Sequence, residues 1–520
     1  MLSVLVAATV LAPPAPVVIV SWDGAAHWVV ERMVKEGKLP NVQRLIDQGW
    51  MADGMQPGFP SKTASSHAAI FTGTYGNVSG ISGNNVPLLP RSEHTILERS
   101  SGFDGSNLLA EPIYITAAKA GKKVVVLSAT QAHPPLPRVE DLRATGVPLE
   151  NYVQWSGFES QISPTLIWSE SDFENGRMET NLGDTDFSFV HSDGTITISS
   201  GDEVENIELS PASKGVENWS ESFPVTRDDL FGNAYFRLFE SEDGWKLYSR
   251  KVSGFVGSAS DELTRQYVEA YGGFHDHDVF SRDGAGHLGP TRWQDGYGTA
   301  VEILLETIRL DIEFLKRGFR FGLTLAPDFM SVYSPNSDSA GHTWVGMLDP
   351  DSATYDEELA AKIWPVYEEV HIIQDDWLGD MMEAAGPEAN FALVSDHGME
   401  GTAYWFNVNH VLEEAGLLAY SSGSPVDLTK TRAMAPPWGF QAIVVNTTEW
   451  KDGVVPLSEK DAVLDEVEKA LLAAVDPMSG LPIVRSVFRA DEIWDLGGGG
   501  PRGADLYYNT RYDYYESTRR

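Results

Sequence analysis

The sequence contains no cysteine. Disulfide cross-links, thiolate metal sites and thiol catalysis are therefore excluded, and any metal must be held by His, Asp, Glu or hydroxyl oxygen. Basic residues are scarce: 38 Lys plus Arg stand against 75 Asp plus Glu, a formal net charge of -37. A surface this acidic repels nucleic-acid duplexes and anionic membranes and reads as a device for solubility. An anionic substrate then needs local cations, most simply bound metals, to reverse the field at the site. Past residue 20 the sequence has no apolar run long enough to span a membrane. Residues 2–12 resemble the apolar core of a secretory signal, without a preceding Lys or Arg. Residues 1–16 are accordingly expected to be a signal segment, and the protein to be periplasmic or extracellular.

What is present is ordinary globular composition, 42% hydrophobic and 11% aromatic, over 520 residues. Val17-Val18-Ile19-Val20-Ser21-Trp22-Asp23-Gly24 is a branched apolar run ending in Asp-Gly, the pattern of a buried parallel strand. Helical periodicity follows over 28–48. A helix at 111–120 leads into a strand at 123–128, and a helix at 298–317 into a strand at 319–326. Further strands are predicted at 328–333 and, after a long helical region at 353–384, at 390–395. Strands alternating with helices predict an α/β fold, a doubly wound, mostly parallel sheet. Residues 130–319 interrupt this rhythm. Hairpins are predicted across Asp193-Gly194 and Asp243-Gly244. The expectation is an inserted β-rich cap at 130–319 over a catalytic core of 17–129 and 320–520.

Functional groups in open α/β sheets collect at the carboxyl ends of strands. Three segments there carry ligand-type residues: Asp23, Asp338-Ser339-Ala340-Gly341-His342, and Asp396-His397-Gly398-Met399. A lone Asp-Gly is usually a turn and a lone Asp-His pair usually structural; their combination points to a metal site. Mixed carboxylate and imidazole ligands suit zinc or, less specifically, manganese or iron. A fourth segment, 59–73, sets several hydroxyls before a helix. Thr63, Ser65 and Ser66 are each either N-caps or a nucleophile.

Together these residues resemble the nucleotide pyrophosphatase/phosphodiesterase branch of the alkaline phosphatase superfamily. The matching motifs are Lys62-Thr63, His67, Thr72-Gly73, Gly80-Ile81 followed by Asn84, Asp338 with Gly341-His342, and Ser395-Asp396-His397-Gly398-Met399, in the family's order. The resemblance covers about 1–130 and 320–415. It implies an alkaline-phosphatase-like core and two zinc ions. Asp23, Thr63, Asp396 and His397 would hold one; Asp338 and His342 would hold the other. It further implies that Thr63 is the nucleophile, that Lys62 and Asn84 bind substrate, and that the reaction passes through a phospho-threonine.

One departure is plain. The family's second zinc takes a later histidine as third ligand, and the only later histidine here, His410, follows too soon. Either the sequence stops short of that residue or the second site is incomplete. The function expected is hydrolysis of small phosphodiesters or pyrophosphates. A phosphomonoesterase of the same fold and a phospho-ligand-binding pseudoenzyme are the alternatives.

Overall fold

The computed structural model describes residues 15–127, 129–131, 146–156, 161–241, 244–254, 256–257, 261–272, 299–422 and 425–518. The signal-like residues 2–12 and the segment His275-Asp276-His277-Asp278 lie outside these. Among the described residues no helix is long and apolar enough to cross a membrane.

The apolar runs build one six-stranded sheet. Its strands in chain order are β1 (Val17–Trp22), β2 (Val124–Leu127), β3 (Tyr152–Ser156), β4 (Val256–Gly257), β5 (Phe329–Ser334) and β6 (Asn390–Val394), arranged β4-β3-β2-β5-β1-β6. All neighbours run parallel except the edge strand β4. Successive side chains point to opposite faces, so both faces need cover. Val18, Val20, Val125, Leu127, Met330 and Val332 pack under α2 (Thr299–Thr324), α4 (Glu357–Ala385) and the helix His27–Lys35. Val124, Val126 and Phe329 meet Phe71 of α1 (Thr63–Thr72) and Tyr114, Ile115 and Ala118 of the helix Ile113–Lys119. The sheet is therefore doubly wound, as expected. Between β5 and α4 runs α3 (Asn336–Leu348).

Two readings of the sequence are corrected. Residues 319–324 continue α2 instead of forming a strand, because their apolar residues extend the face that this helix buries: Phe319 belongs to the same core as Leu315 and Ile312. The span 130–319 also overstates the insertion. Within it, β3 pairs with β2 in the central sheet and α2 packs along α4. The hairpins form where predicted: Thr185–Ser192 pairs with Thr195–Ser200, and Phe236–Ser241 with Gly244–Ser249. They share a separate core that includes Phe187, Phe189, Ile196, Ile198 and Phe236. A further core lies under the antiparallel sheet of Ala433–Met434, Ala442–Val445, Leu506–Thr510 and Val484–Arg489.

Two buried ion pairs fasten the β-rich insertion to the core. Arg237 reaches Glu306 at 2.8 Å, and Arg250 pairs with Asp311; both acids sit on α2. Arg237 also donates to the backbone oxygens of Ser210 and Pro211. Removing one partner of a buried pair strands the other charge, whereas an apolar isostere on both sides is tolerated. Arg237→Ala is expected to destabilise the protein by about 3–5 kcal/mol in urea unfolding, and Arg237→Met with Glu306→Leu by much less. A loss under about 1 kcal/mol for the single variant would refute this anchoring.

Candidate active site

Parallel strands deliver their carboxyl ends to one edge of the sheet, and three carboxylates converge there. β1 ends at Trp22, so Asp23 follows directly, its amide donating to Ser334 O of β5 at 2.9 Å. β6 ends at Val394, which places Asp396 and His397 in the loop beside it. Asp338 lies in the first turn of α3, with His342 one turn on. Gly24 makes the approach possible: at φ +61, a Cβ there would sit 2.8 Å from Asp338 Cα.

Asp23 and Asp396 are almost fully buried. Tyr333 donates to Asp23 Oδ2, the Gly24 amide donates to Asp396 Oδ1 at 3.1 Å, and Ser337 Oγ donates to Asp23 O at 2.6 Å. Asp23 Oδ1 and Asp396 Oδ2 accept no hydrogen bond. Both instead face imidazole. His397 Nε2 lies 3.4 Å from Asp23 Oδ1, 3.3 Å from Asp396 Oδ2 and 3.9 Å from Asp338 Oδ1. His397 Nδ1 is 2.9 Å from Gly398 O, which assigns the proton to Nδ1 and turns the Nε2 lone pair toward the acids. That geometry is repulsive unless positive charge stands among these atoms, as a second ring proton or a divalent cation.

The electrostatics agree. Burial, then the charges of Asp396 and Asp338, push the Asp23 carboxyl well above the ordinary aspartate range. Burial acts on Asp396 in the same sense, but His67, His397 and the Gly24 amide outweigh it and hold that carboxyl below the ordinary range. Asp23, Asp338 and His397 place ligand atoms within 4.8 Å of one another; among the described residues they are the only such group of three or more. Buried oxygens without donors, a lone pair aimed among them and a purely O/N donor set fit a divalent metal. The triad crosses the division into two ligand sets drawn from the sequence, so the two sets are neighbours.

Thr63 opens α1, and its Oγ1 is 3.3 Å from His397 Nε2. His67, one turn on, is fully buried. Its Nδ1 is 2.9 Å from Thr63 O and 3.3 Å from Asp396 Oδ2, and its Nε2 is 2.8 Å from Ser21 Oγ. It thus links the start of α1 to β1 and to Asp396. Asn84 Oδ1 accepts from the Ala64 amide at 3.0 Å, which places this side chain at the start of α1. The Lys62 ammonium donates to Tyr515 Oη at 2.9 Å and lies 3.5 Å from the centre of the Phe440 ring. His342 Nε2 is 3.4 Å from Asp338 Oδ1. Neither Glu400 nor His410 joins the cluster. Burial, then Asp349 and Asp513, push Glu400 up, and exposed His410 sits beside Glu413 and Glu414. Gln131 is structural, donating to Ala64 O and Gly102 O. Tyr333, Ser21 and Ser337 had no role in the sequence reading; a lone Tyr near the end of an apolar strand, just before the Asp338–His342 segment, was the available signal.

The profile of the family described as type I phosphodiesterase / nucleotide pyrophosphatase matches residues 17–195 and 249–507. The chain belongs to that family. An ectonucleotide pyrophosphatase/phosphodiesterase of Caenorhabditis elegans is 34% identical over 115 residues, 21% of this chain and 12% of that protein. The ectonucleotide pyrophosphatase/phosphodiesterase family member 1 of Homo sapiens is 29% identical over 135 residues, 25% of this chain and 14% of that protein. The matches thus span only a small part of these relatives. Among solved structures, phosphonoacetate hydrolase from Sinorhizobium meliloti 1021 aligns with a TM-score of 0.45 at 15% identity, covering 98% of this chain and 83% of that one. Murine ectonucleotide pyrophosphatase/phosphodiesterase 5 gives 0.42 at 14% identity, covering 97% and 81%.

A carboxyl raised on folding contributes stability below its unfolded value and loses it as pH rises through the folded value. Asp23 is such a group in the metal-free protein. A metal at this site replaces that proton, so its binding strengthens with pH. Zinc is expected to raise the melting temperature more at about pH 8 than at about pH 5.5. Equal shifts at both pH values, or none, would count against a metal among these carboxylates.

Proposed function

We propose that this protein is a metal-dependent phosphoester hydrolase that attacks phosphorus with Thr63 and cleaves small phosphodiesters or pyrophosphates, nucleotide-like substrates among them. One observation carries the reading: Thr63 Oγ1, at the first position of α1, lies 3.3 Å from His397 Nε2, which itself lies 3.4 Å and 3.3 Å from buried oxygens of Asp23 and Asp396 that accept no hydrogen bond. Family membership supports it.

Asp23, Thr63, Asp396 and His397 would hold one cation and Asp338 with His342 a second, zinc being the ion that this donor set suits. Bound there, the metals supply positive charge that favours the ionised Thr63 hydroxyl and neutralises phosphoryl oxygens. Thr63 Oγ1 attacks phosphorus in line. The bond to the leaving oxygen breaks as the Oγ1–P bond forms, giving a phospho-threonine. Water then cleaves that bond, with its proton released, and frees Thr63. The start of α1 presents backbone amides and a favourable dipole end to the phosphoryl group. With its Oδ1 engaged by Ala64, Asn84 keeps its NH2 as the donor for a phosphoryl oxygen.

A diester rather than a monoester is favoured by the scarcity of local positive charge. The ammonium next to the nucleophile, that of Lys62, is committed to Tyr515 and the Phe440 ring. A diester brings one charge fewer than a dianionic monoester and needs less compensation.

Thr63→Ala is expected to lower kcat by about a thousand-fold or more with the fold intact, and Thr63→Ser to keep part of the activity. Chelation should abolish turnover and zinc restore it. Thr63→Ala hydrolysing at the parent rate would move the nucleophile to Ser61, Ser65 or Ser66. Separately, kcat/KM should be greater for bis-p-nitrophenyl phosphate than for p-nitrophenyl phosphate. The opposite order would favour the monoesterase.

A further inference from the structure

The segments that carry Thr63, Asp338 with His342, and Asp396 with His397 come from distant parts of the sequence, and one short stretch near residue 515 touches all three. β8 (Asp513–Ser517) pairs in parallel with β7 (Thr402–Asn407), the strand that follows the Asp396-His397 loop, with Trp405 opposite Tyr515. On the nucleophile side, Tyr515 Oη accepts from Lys62 Nζ at 2.9 Å, and Lys62 adjoins Thr63. On the α3 side, Asp513 accepts from Ser352 Oγ and from the Ala353 amide, both at 2.8 Å, just beyond the end of that helix. Tyr512 joins the remaining two: its hydroxyl bonds Asp349, which caps the end of α3, and accepts from the Gly401 amide at 3.3 Å, four residues after His397.

The backbone is shaped for this. Asp513 holds φ +71, a left-handed conformation that an aspartate adopts only with support, and both of its oxygens receive that support. Gly401 and Gly346 let the two segments close: a Cβ on Gly401 would lie 2.5 Å from Ser352 Cβ, and one on Gly346 3.1 Å from Thr354 Oγ1. Glu516 fixes the far side of the strand, accepting from Tyr508 Oη at 2.7 Å and from the Gln441 amide, next to the Phe440 ring that covers Lys62.

We propose that Tyr512, Asp513, Tyr515 and Glu516 form a clasp that sets the distance between the nucleophile and the metal ligands, with Tyr515 and Asp513 as its positioning residues. The clasp rests on the phosphoester hydrolase reading for its role in turnover, but its hold on the ligand segments is independent of that reading. Tyr515 acts on Thr63 through Lys62. Asp513 acts on Asp338 and His342 through the end of α3. Neither residue is assigned contact with substrate or metal. Supporting residues around a metal ligand typically change affinity or activity by about 10–100-fold when removed, and a displacement of about 1 Å at a nucleophile costs turnover on a similar scale.

The test compares Tyr515→Phe, Asp513→Ala and the control Tyr514→Phe in the full chain. Tyr514 lies on the same strand, packed on Tyr404. Two readouts are taken: zinc affinity by competition with a chromophoric chelator, and kcat with KM on bis-p-nitrophenyl phosphate. Tyr515→Phe keeps the ring and loses only the bond to Lys62. It is expected to lower kcat about ten-fold or more with KM and zinc affinity near the parent's. Asp513→Ala is expected to weaken zinc binding about ten-fold or more. Tyr514→Phe should match the parent in both. The clasp is overturned if Tyr515→Phe and Asp513→Ala stay within about two-fold of the parent in both readouts, or if Tyr514→Phe falls as far as they do. Should Asp513→Ala fail to fold, as judged by its melting curve, Tyr515→Phe decides alone. Should the parent not hydrolyse the diester, the hydrolase reading falls, and the zinc affinity of Asp513→Ala still decides the clasp.

Discussion

Three carboxylates are pressed together in a part of the protein that water scarcely reaches, and much of the architecture at this edge answers that repulsion. Asp23 and Asp396 are buried with one oxygen each lacking a donor, and at hydrogen-bond and ion-pair distance the described structure gives them imidazole, a phenol and a backbone amide, with no lysine or arginine. Like charges at such range in a low-dielectric setting cost several kcal/mol unless one is protonated or a cation joins them. The chain can hold the cluster because each member is fixed by the framework: Asp23 by the ladder between β1 and β5, Asp396 by the loop after β6, Asp338 by the first turn of α3. Gly24, with no side chain to push α3 outward, makes that density of charge geometrically attainable.

The same logic extends outward. His67 is buried between Ser21, Thr63 and Asp396, so the helix carrying the hydroxyl is registered to the strand carrying Asp23 and to a second acid at once. The β-rich insertion is held on α2 by arginines that reach buried acids. With an overall charge of -37, an anionic ligand would need its compensation supplied locally, at this one edge of the sheet.

The edge where Asp23 and Asp396 meet was legible in the sequence because each follows an apolar run, and such runs become parallel strands whose carboxyl ends share one edge. Val17 to Trp22 and Asn390 to Val394 left little room for another reading. The end of α2 was not legible in the same way: Phe319 and its aromatic neighbours have strand-like composition, and only packing against β1, β5 and α4 settles them as helix. β3 was hidden for the converse reason. Tyr152-Val153-Gln154-Trp155 is a short run broken by a glutamine inside a polar insertion, and Gln154 is buried in the sheet with its amide oxygen accepting from Tyr152 Oη. Nor does local pattern reveal Tyr512, Asp513 and Tyr515. Their partners lie at residues 349, 352 and 62, and tertiary contacts of that kind carry no periodicity.

Strand order has a consequence for how the molecule comes into being. β1 is the first of the described strands, yet it lies inside the sheet, between β5 and β6. During synthesis Val17–Trp22 therefore has no lateral partner until Phe329–Ser334 has been made, and its second side stays open until Asn390–Val394 follows. Pairing across such sequence separation requires closing very long loops, which slows folding and leaves apolar strand edges unprotected meanwhile. The acidic cluster cannot assemble before that last insertion, so the most repulsive part of the molecule is completed only after the rest of the sheet can restrain it.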